Sequence, residues 1–248
     1  MIPRFFDFLR PPRLLPAALF AVCMLSAPAV YCQPALYCGQ AARLLSIDNT
    51  GFDNFGLSVD VDGDFAVVGA RAHATAVGMT GAAYIFVRSG GSWVEDAKLT
   101  PSDGVAGDLF GQSVAISGDT AVVGAFWHAT NGFLAGAAYV YVRDPVGGGW
   151  TEEQKLLPPM VGPGDQFGWD VAIDGDTIAV AANADGTGSV HIFDRSVMVW
   201  TEQAVLTPAP SVTLCVIKIV MNGRKDFFFR DSNNPLDITE HVFQCPGM

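Results

Sequence analysis

Charged residues are scarce in this sequence. Only 16 % of the 248 residues are Asp, Glu, Lys or Arg, and only four are Lys, so the side chains that usually cover exposed helices are few. The chain is instead rich in Phe (17), Gly (27) and Pro (15). Aromatic and β-branched residues divided by turn-forming residues favour many short strands. We therefore predict an all-β fold.

The sequence also lacks the patterns of common enzyme classes. There is no Gly-x-Ser-x-Gly, no His-Glu-x-x-His, no phosphate-binding Gly-rich loop ending in Lys-Ser/Thr, and no Cys/His spacing typical of zinc sites. We therefore predict that the chain is not an enzyme and carries no cofactor, with a weak Ca²⁺ site, discussed below, as the exception.

Basic residues are too few for a nucleic-acid partner. Residues 30–248 contain 11 Lys and Arg against 24 Asp and Glu, and such an acidic surface repels phosphate backbones. It is typical of a soluble protein outside the cell.

Residues 1–29 have the pattern of a signal peptide. Arg4, Arg10 and Arg13 precede the apolar segment 14–25, and Ala27-Pro28-Ala29 forms a small-x-small cleavage pattern. A retained N-terminal anchor is the alternative, although no later apolar run is long enough to span a membrane. We expect residues 30–41 to be a linker and the protein to be secreted, periplasmic or on the cell surface.

Four cysteines remain after the signal peptide, an even number that permits disulfides in an oxidising compartment. The sequence leaves all three pairings open. The residues are Cys32, Cys38, Cys215 and Cys245.

A repeat of 55 to 57 residues is the clearest feature of the sequence. Each copy continues from Phe-Gly to a Gly-Asp pair, an apolar run, a Gly-(Ala/Ser)-x run with aromatic residues, and Trp-x-Glu. Four strand-like runs in each copy predict a four-stranded antiparallel propeller blade, and blades must stack to bury their faces. The copies begin at Phe55-Gly56, Phe110-Gly111 and Phe167-Gly168, and we predict blades near 55–101, 110–158 and 167–208.

The repeat resembles FG-GAP repeats, the blades of the integrin α-subunit propeller and of many bacterial secreted proteins. The resemblance covers residues 42–208 and implies a β-propeller, here partial or small because three blades are fewer than the usual four to eight. It implies an extracellular module for adhesion or for binding a protein or glycan. The alternatives are an extracellular enzyme that cleaves a polysaccharide or ester, and an inactive truncated fragment of a larger adhesin.

Integrin-type blades carry a Ca²⁺ loop whose carboxylates alternate along the chain, and Asp60, Asp62 and Asp64 resemble it. The closing acidic residue is absent, since Val68 occupies its position, and the next strand follows at once. The pattern therefore favours a tight Gly63-Asp64 hairpin turn, with a weak Ca²⁺ site as the alternative.

Long connectors between the second and third strands of two repeats contain a matched His-Ala-Thr sequence. Loops of this kind converge on one rim of a propeller, where ligands usually bind. One hypothesis is a ligand-binding rim in which exposed aromatic side chains hold a glycan or protein; the alternative is that duplication copied loop residues without a role. The rim residues would be His73, Trp127, His128, Phe133 and Asp185.

The ends of the repeat region leave ring closure open. Residues 42–47 have the spacing of an outer strand, and residues 209–248 form either a divergent fourth blade or an unrelated tail. An open three-blade fragment is expected to self-associate, because it exposes strand edges and apolar faces.

Overall fold

The computed structural model describes residues 42–48, 50–183 and 188–207, and the backbone of two strands at 214–221 and 224–231. Within these residues all regular structure is β-strand. The signal peptide, the linker, Asp185 and the cysteine side chains lie outside the described residues. None of the described residues forms a helix that is long and apolar enough to cross a membrane.

Twelve of the strands form three four-stranded antiparallel sheets, each with its strands in sequence order. This confirms the predicted all-β fold and its propeller blades. Blade 1 contains β1 (Val59–Asp62), β2 (Phe65–Ala70), β3 (Ala82–Ser89) and β4 (Ser92–Leu99); blade 2 contains β5 (Ser113–Ser117), β6 (Thr120–Ala125), β7 (Ala137–Arg143) and β8 (Trp150–Leu156); blade 3 contains β9 (Phe167–Asp174), β10 (Thr177–Ala182), β11 (Ser189–Ser196) and β12 (Val199–Leu206).

The predicted Gly-Asp turns join the first two strands of each blade. In blade 1, Asp62 pairs with Phe65, so Gly63 and Asp64 are the two loop residues. Gly63 has φ +57°, and Gly at the first loop position with positive φ is the signature of a type II′ hairpin turn.

Apolar side chains fill the space between neighbouring blades. We call the face of a blade that contacts the preceding blade its leading face, and the opposite one its trailing face. The trailing face of blade 1, with Val67 and Ile85, packs on the leading face of blade 2, with Phe110 and Ile116. Blades 2 and 3 pack in the same way. Complete burial of each large side chain stabilises the fold by about 1.5–3 kcal/mol.

The leading face of blade 1 is partly open to solvent. Val59 and Val61 on β1 are 63 % and 56 % exposed, whereas the equivalent Val114 and Ile116 on β5 are buried. The difference arises because blade 1 covers Val114 and Ile116, and the described residues contain no blade that would cover β1 in this way.

Two glycines allow neighbouring blades to meet backbone to backbone. A Cβ atom on Gly69 would lie 2.1 Å from the Gly111 carbonyl oxygen, and one on Gly124 would lie 2.1 Å from the Gly168 carbonyl oxygen. Hydrogen bonds cross the same junctions: the Phe110 N–H donates to the Thr80 carbonyl at 2.9 Å, and the Phe167 N–H donates to the Ala135 carbonyl at 2.8 Å.

Residues 42–47 do not form the strand predicted from their spacing. A strand needs a partner, and no described strand lies beside them to supply one. The spacing still marks equivalent packing positions. Leu44 packs against the core of blade 1, and Leu99 packs in the core that blades 1 and 2 share. The segment therefore occupies the place of the connector that enters each later blade.

Beyond blade 3, β13 (Leu214–Met221) and β14 (Arg224–Asp231) form an antiparallel hairpin. β13 lies against β9 and β11. The third strand-like run of the tail, at 238–243, falls outside the described residues. The described sheets are not closed into a ring.

Replacing Gly124 with Ala should destabilise the protein strongly. The new Cβ would overlap the Gly168 carbonyl oxygen of the next blade, and a backbone atom cannot move aside cheaply. We expect a loss of about 1–3 kcal/mol or more, which corresponds to about 3–10 °C in the melting temperature measured by calorimetry.

Gly149→Ala is the matched control, since a Cβ at that turn position would have no neighbour within 4 Å. Equal melting temperatures for the two variants would contradict the proposed role of the close approach.

Candidate functional site

The first residues of the three inner strands line an open groove of about 490 Å³. They follow the three Phe-Gly pairs directly, so the repeat brings equivalent positions of all three blades together. The lining residues are Leu57, Ser58, Val59, Asp60, Gln112, Ser113, Val114, Trp169, Asp170 and Val171.

One position in this groove differs in every repeat. Leu57, Gln112 and Trp169 are each the second residue after the repeated Phe, while the second residue after each of them is always Val. Positions that stay constant in all blades serve the architecture. A position that varies, and whose three copies meet in one groove, is where we expect contacts specific to a ligand.

Two of the three side chains at this position, Gln112 and Trp169, are oriented by the preceding blade. The Arg71 Nη1 donates a hydrogen bond of 2.8 Å to the Gln112 Oε1. Phe126, which is equivalent to Arg71, makes an edge-to-face contact with Trp169 at 5.0 Å between ring centroids. Both pairs cross a blade junction, so the groove side chains are held before any ligand arrives.

Several polar groups in the groove already bond to the protein. The Ser58 and Ser113 hydroxyls donate to the carbonyls of Gly111 and Gly168 in the next blade, at 2.9 and 3.0 Å. The Asp170 Oδ1 accepts the N–H of Val171 at 2.9 Å.

Asp60 and Asp62 each accept a hydrogen bond from the backbone of the next blade. The Asp60 carboxylate accepts the Ile116 N–H, and the Asp62 carboxylate accepts the Gly118 N–H, both at 2.7 Å. Asp64 lies in the exposed turn. No group of three or more His, Cys, Asp or Glu side chains among the described residues is arranged to hold a metal ion. Asp60 and Asp62 therefore connect blade 1 to the backbone of blade 2.

His73 and His128 do not lie on an exposed rim, which corrects the rim hypothesis for these two residues. They are only 4 % and 3 % exposed, and each hydrogen-bonds to a buried carboxylate. The rim hypothesis assumed that connector residues face solvent, whereas these two imidazoles are buried.

The network in blade 1 joins His73 to two carboxylates and a lysine. The Lys98 Nζ donates to the His73 Nε2 at 2.7 Å, so the proton of the imidazole is on Nδ1, which donates to Asp53 at 2.7 Å. Lys98 also binds Asp48 at 2.6 Å, and the Tyr84 hydroxyl donates to the same carboxylate at 2.7 Å.

Blade 2 repeats this network with matching distances. The Lys155 Nζ lies 2.6 Å from the His128 Nε2, and the His128 Nδ1 lies 2.9 Å from Asp108. Asp103 accepts hydrogen bonds from Lys155 and Tyr139. In blade 3, His191 replaces the tyrosine and bonds to Glu202 instead. Recurrence at equivalent places indicates a structural role for these charged groups.

Asp53 and Asp103 of these networks are stabilised in their ionised form. Burial would raise the pKa of the Asp53 carboxyl, but hydrogen bonds from the Thr50 hydroxyl and amide and from His73 outweigh it, so that the pKa is lowered. Burial would likewise raise the pKa of the Asp103 carboxyl, but hydrogen bonds from Lys155 and Tyr139 outweigh it, so that this pKa is also lowered.

Trp127 and Phe133 remain on the surface at 43 % and 77 % exposure, as the rim hypothesis requires of them. Trp127 packs against the same Phe126 ring that orients Trp169, with centroids 5.5 Å apart. Sequence reasoning missed Gln112, Trp169 and Asp170. For Gln112 and Trp169 the available signal was their variation at one fixed distance from the repeated Phe.

The FG-GAP repeat family matches the chain at residues 38–86, 93–141 and 150–193. No curated protein matches the sequence at a significant level. Among solved structures, a protein described as an auxiliary nutrient binding protein from Bacteroides ovatus is similar, with a TM-score of 0.42 and 15 % identity over 75 % of this chain. The chain spans 44 % of the length of that protein.

Asp53→Asn should weaken the acid dependence of stability. Because the folded-state pKa of Asp53 is lowered, its contribution is complete above the unfolded value of about 3.9 and is lost as the pH falls through the lower folded value. We expect a less steep decrease in the free energy of unfolding below about pH 4, measured by urea titration at several pH values.

The variant should also lose about 1–3 kcal/mol at neutral pH, because the His73 donor is left with a weaker partner. Asp64→Asn, in the exposed Gly-Asp turn, is the control. An unchanged pH profile for Asp53→Asn would show that the network does not stabilise the ionised carboxylate.

Replacing both Asp60 and Asp62 with Ala should lower the melting temperature equally in a chelator and in about 5 mM Ca²⁺. The reason is that the lost bonds are to backbone amides, whereas a ligand of the native state would raise the melting temperature of the wild type. A stabilisation of the wild type by Ca²⁺ that disappears in the double variant would instead establish the metal site.

Proposed function

Since the chain belongs to the FG-GAP repeat family, we propose that it is a secreted or cell-surface binding module that recognises its ligand in the groove at the start of β1, β5 and β9. The observation that carries this proposal is the convergence of Leu57, Gln112 and Trp169, the copies of the varying position, in one groove. Ligand sites commonly lie where equivalent elements of a symmetric scaffold converge.

The rigidity of the groove supports binding. Trp169 is fixed by Phe126 and Gln112 by Arg71, so little side-chain freedom is lost when a ligand binds. Ordering a mobile side chain costs about 0.5–1.5 kcal/mol, and prior ordering avoids that cost.

The arrangement of carboxylates supports binding without catalysis. Asp60 and Asp170 in the groove each accept a backbone N–H, which favours a structural carboxylate over a proton-transfer group. The repeated Glu95 and Glu152 are also structural, because they accept the amides of Ile47 and Ser102 from the connectors.

A location outside the cell is supported by the signal-peptide pattern of residues 1–29 and by the acidic balance of the remaining chain. The small number of basic residues argues against nucleic acid as the ligand.

Trp169→Ala should weaken ligand binding at least tenfold while leaving the fold intact. The probes are a panel of neutral oligosaccharides, acidic oligosaccharides and short peptides, measured by calorimetry or by tryptophan fluorescence. A tenfold loss corresponds to about 1.4 kcal/mol, within the range expected when a partly exposed aromatic contact is removed.

Phe133→Ala is the matched control, since Phe133 is exposed but does not line the groove. Binding that survives Trp169→Ala and is lost in Phe133→Ala would move the site to the connector surface. Failure of every compound in the panel to bind would contradict the proposed function.

A further inference from the structure

The groove has an apolar side and a polar side. Each side lies at one of the two blade junctions. At the junction of blades 2 and 3, Phe126 is buried and contacts both Trp127 and Trp169. At the junction of blades 1 and 2 the equivalent positions hold Ala72, Arg71 and Gln112, so that side is polar.

Such a groove fits an amphipathic ring. A sugar ring has an apolar C–H face, which packs on an indole, and hydroxyl groups at its edge, which need hydrogen-bond partners. Trp169 is partly exposed in the groove, and its contact with Phe126 fixes the orientation of the ring.

A hydrogen-bonding group for a hydroxyl lies in the same groove as Trp169. The Gln112 Oε1 is used by Arg71, so its amide Nε2 is the group available as a donor to a ligand oxygen.

The negative charge of the groove favours neutral sugars over acidic ones. The groove is lined by two carboxylates, those of Asp60 and Asp170, and its lining residues in the described chain include no Lys or Arg. The guanidinium beside it, that of Arg71, is bonded to Gln112. The whole chain carries a formal charge of −11. An anionic ligand would have to overcome this repulsion, whereas a neutral one would not.

The size of the groove favours a small ligand over a protein partner. The groove volume of about 490 Å³ lies within the range of about 300–1,000 Å³ that is typical of small-molecule sites. A stable protein partner would need about 800 Å² of surface on each side, far more than this groove provides.

We infer that the groove binds a short neutral oligosaccharide, whose ring stacks on Trp169 while one of its hydroxyls accepts a hydrogen bond from the Gln112 Nε2. This inference rests on the proposed binding function and specifies its ligand.

The test compares matched neutral and acidic sugars on the full chain. We expect neutral probes such as cellotriose, maltotriose and xylotriose to include at least one ligand, and trigalacturonate, an acidic trisaccharide, to bind at least tenfold more weakly than that ligand. Trp169→Ala should reduce binding of the neutral sugar at least tenfold, and Trp169→Phe should retain part of it. Gln112→Ala should reduce it less, and Phe133→Ala should leave it unchanged.

Each other result has a defined meaning. If peptides or acidic sugars bind in a Trp169-dependent manner and neutral sugars do not, the inference is overturned and the proposed binding function stands. If nothing in the panel binds, or if binding is indifferent to Trp169, both are overturned. Melting temperatures of all variants are compared with the wild type, so that loss of the fold is not mistaken for loss of the site.

Discussion

The close approach of neighbouring blades is the constraint on which the rest of this structure depends. At Gly69 and Gly124 the backbone of one blade lies so near the next that no side chain fits between them. This contact brings Phe110 and Phe167 into hydrogen-bonding distance of the preceding blade and sets the spacing of the apolar layers. The groove exists because three inner strands are held side by side by the same contacts.

The architecture could be predicted from the sequence because each landmark has one physical function in every copy. The repeated Phe fills the space between blades, and the Gly-Asp pair forms the hairpin turn. Residues 42–47 were the exception: their spacing marks a place in the repeat, but a strand also needs a partner that local sequence does not show. Leu44 thus keeps its packing role without the predicted strand.

The candidate site was harder to predict, since equal spacing does not distinguish exposed residues from buried ones. His73 and His128 suggested a ligand surface, but their partners Asp53 and Asp108 lie 20 residues earlier in the chain, and only folding brings them together. In the same way, the alternation of Asp60 and Asp62 along the chain does not show that their carboxylates accept amides of the adjacent blade. Gln112 and Trp169 stand at a position that differs between the repeats, so a search for residues that recur in every repeat does not identify them.

The open leading face of blade 1 has a consequence for how the molecule loses structure. Stability in a stacked array comes from each unit and from its interfaces, so a unit covered on one side opens more readily than one covered on both. Val59 and Val61 lack the cover that Val114 and Ile116 receive. Amide hydrogens of β1 and β2 should therefore exchange with solvent through local opening, whereas those of β5 and β6 exchange only when the array comes apart. The groove is built from blades of both kinds. Leu57 lies on blade 1, which opens more readily, and Gln112 lies on blade 2, which is covered on both sides.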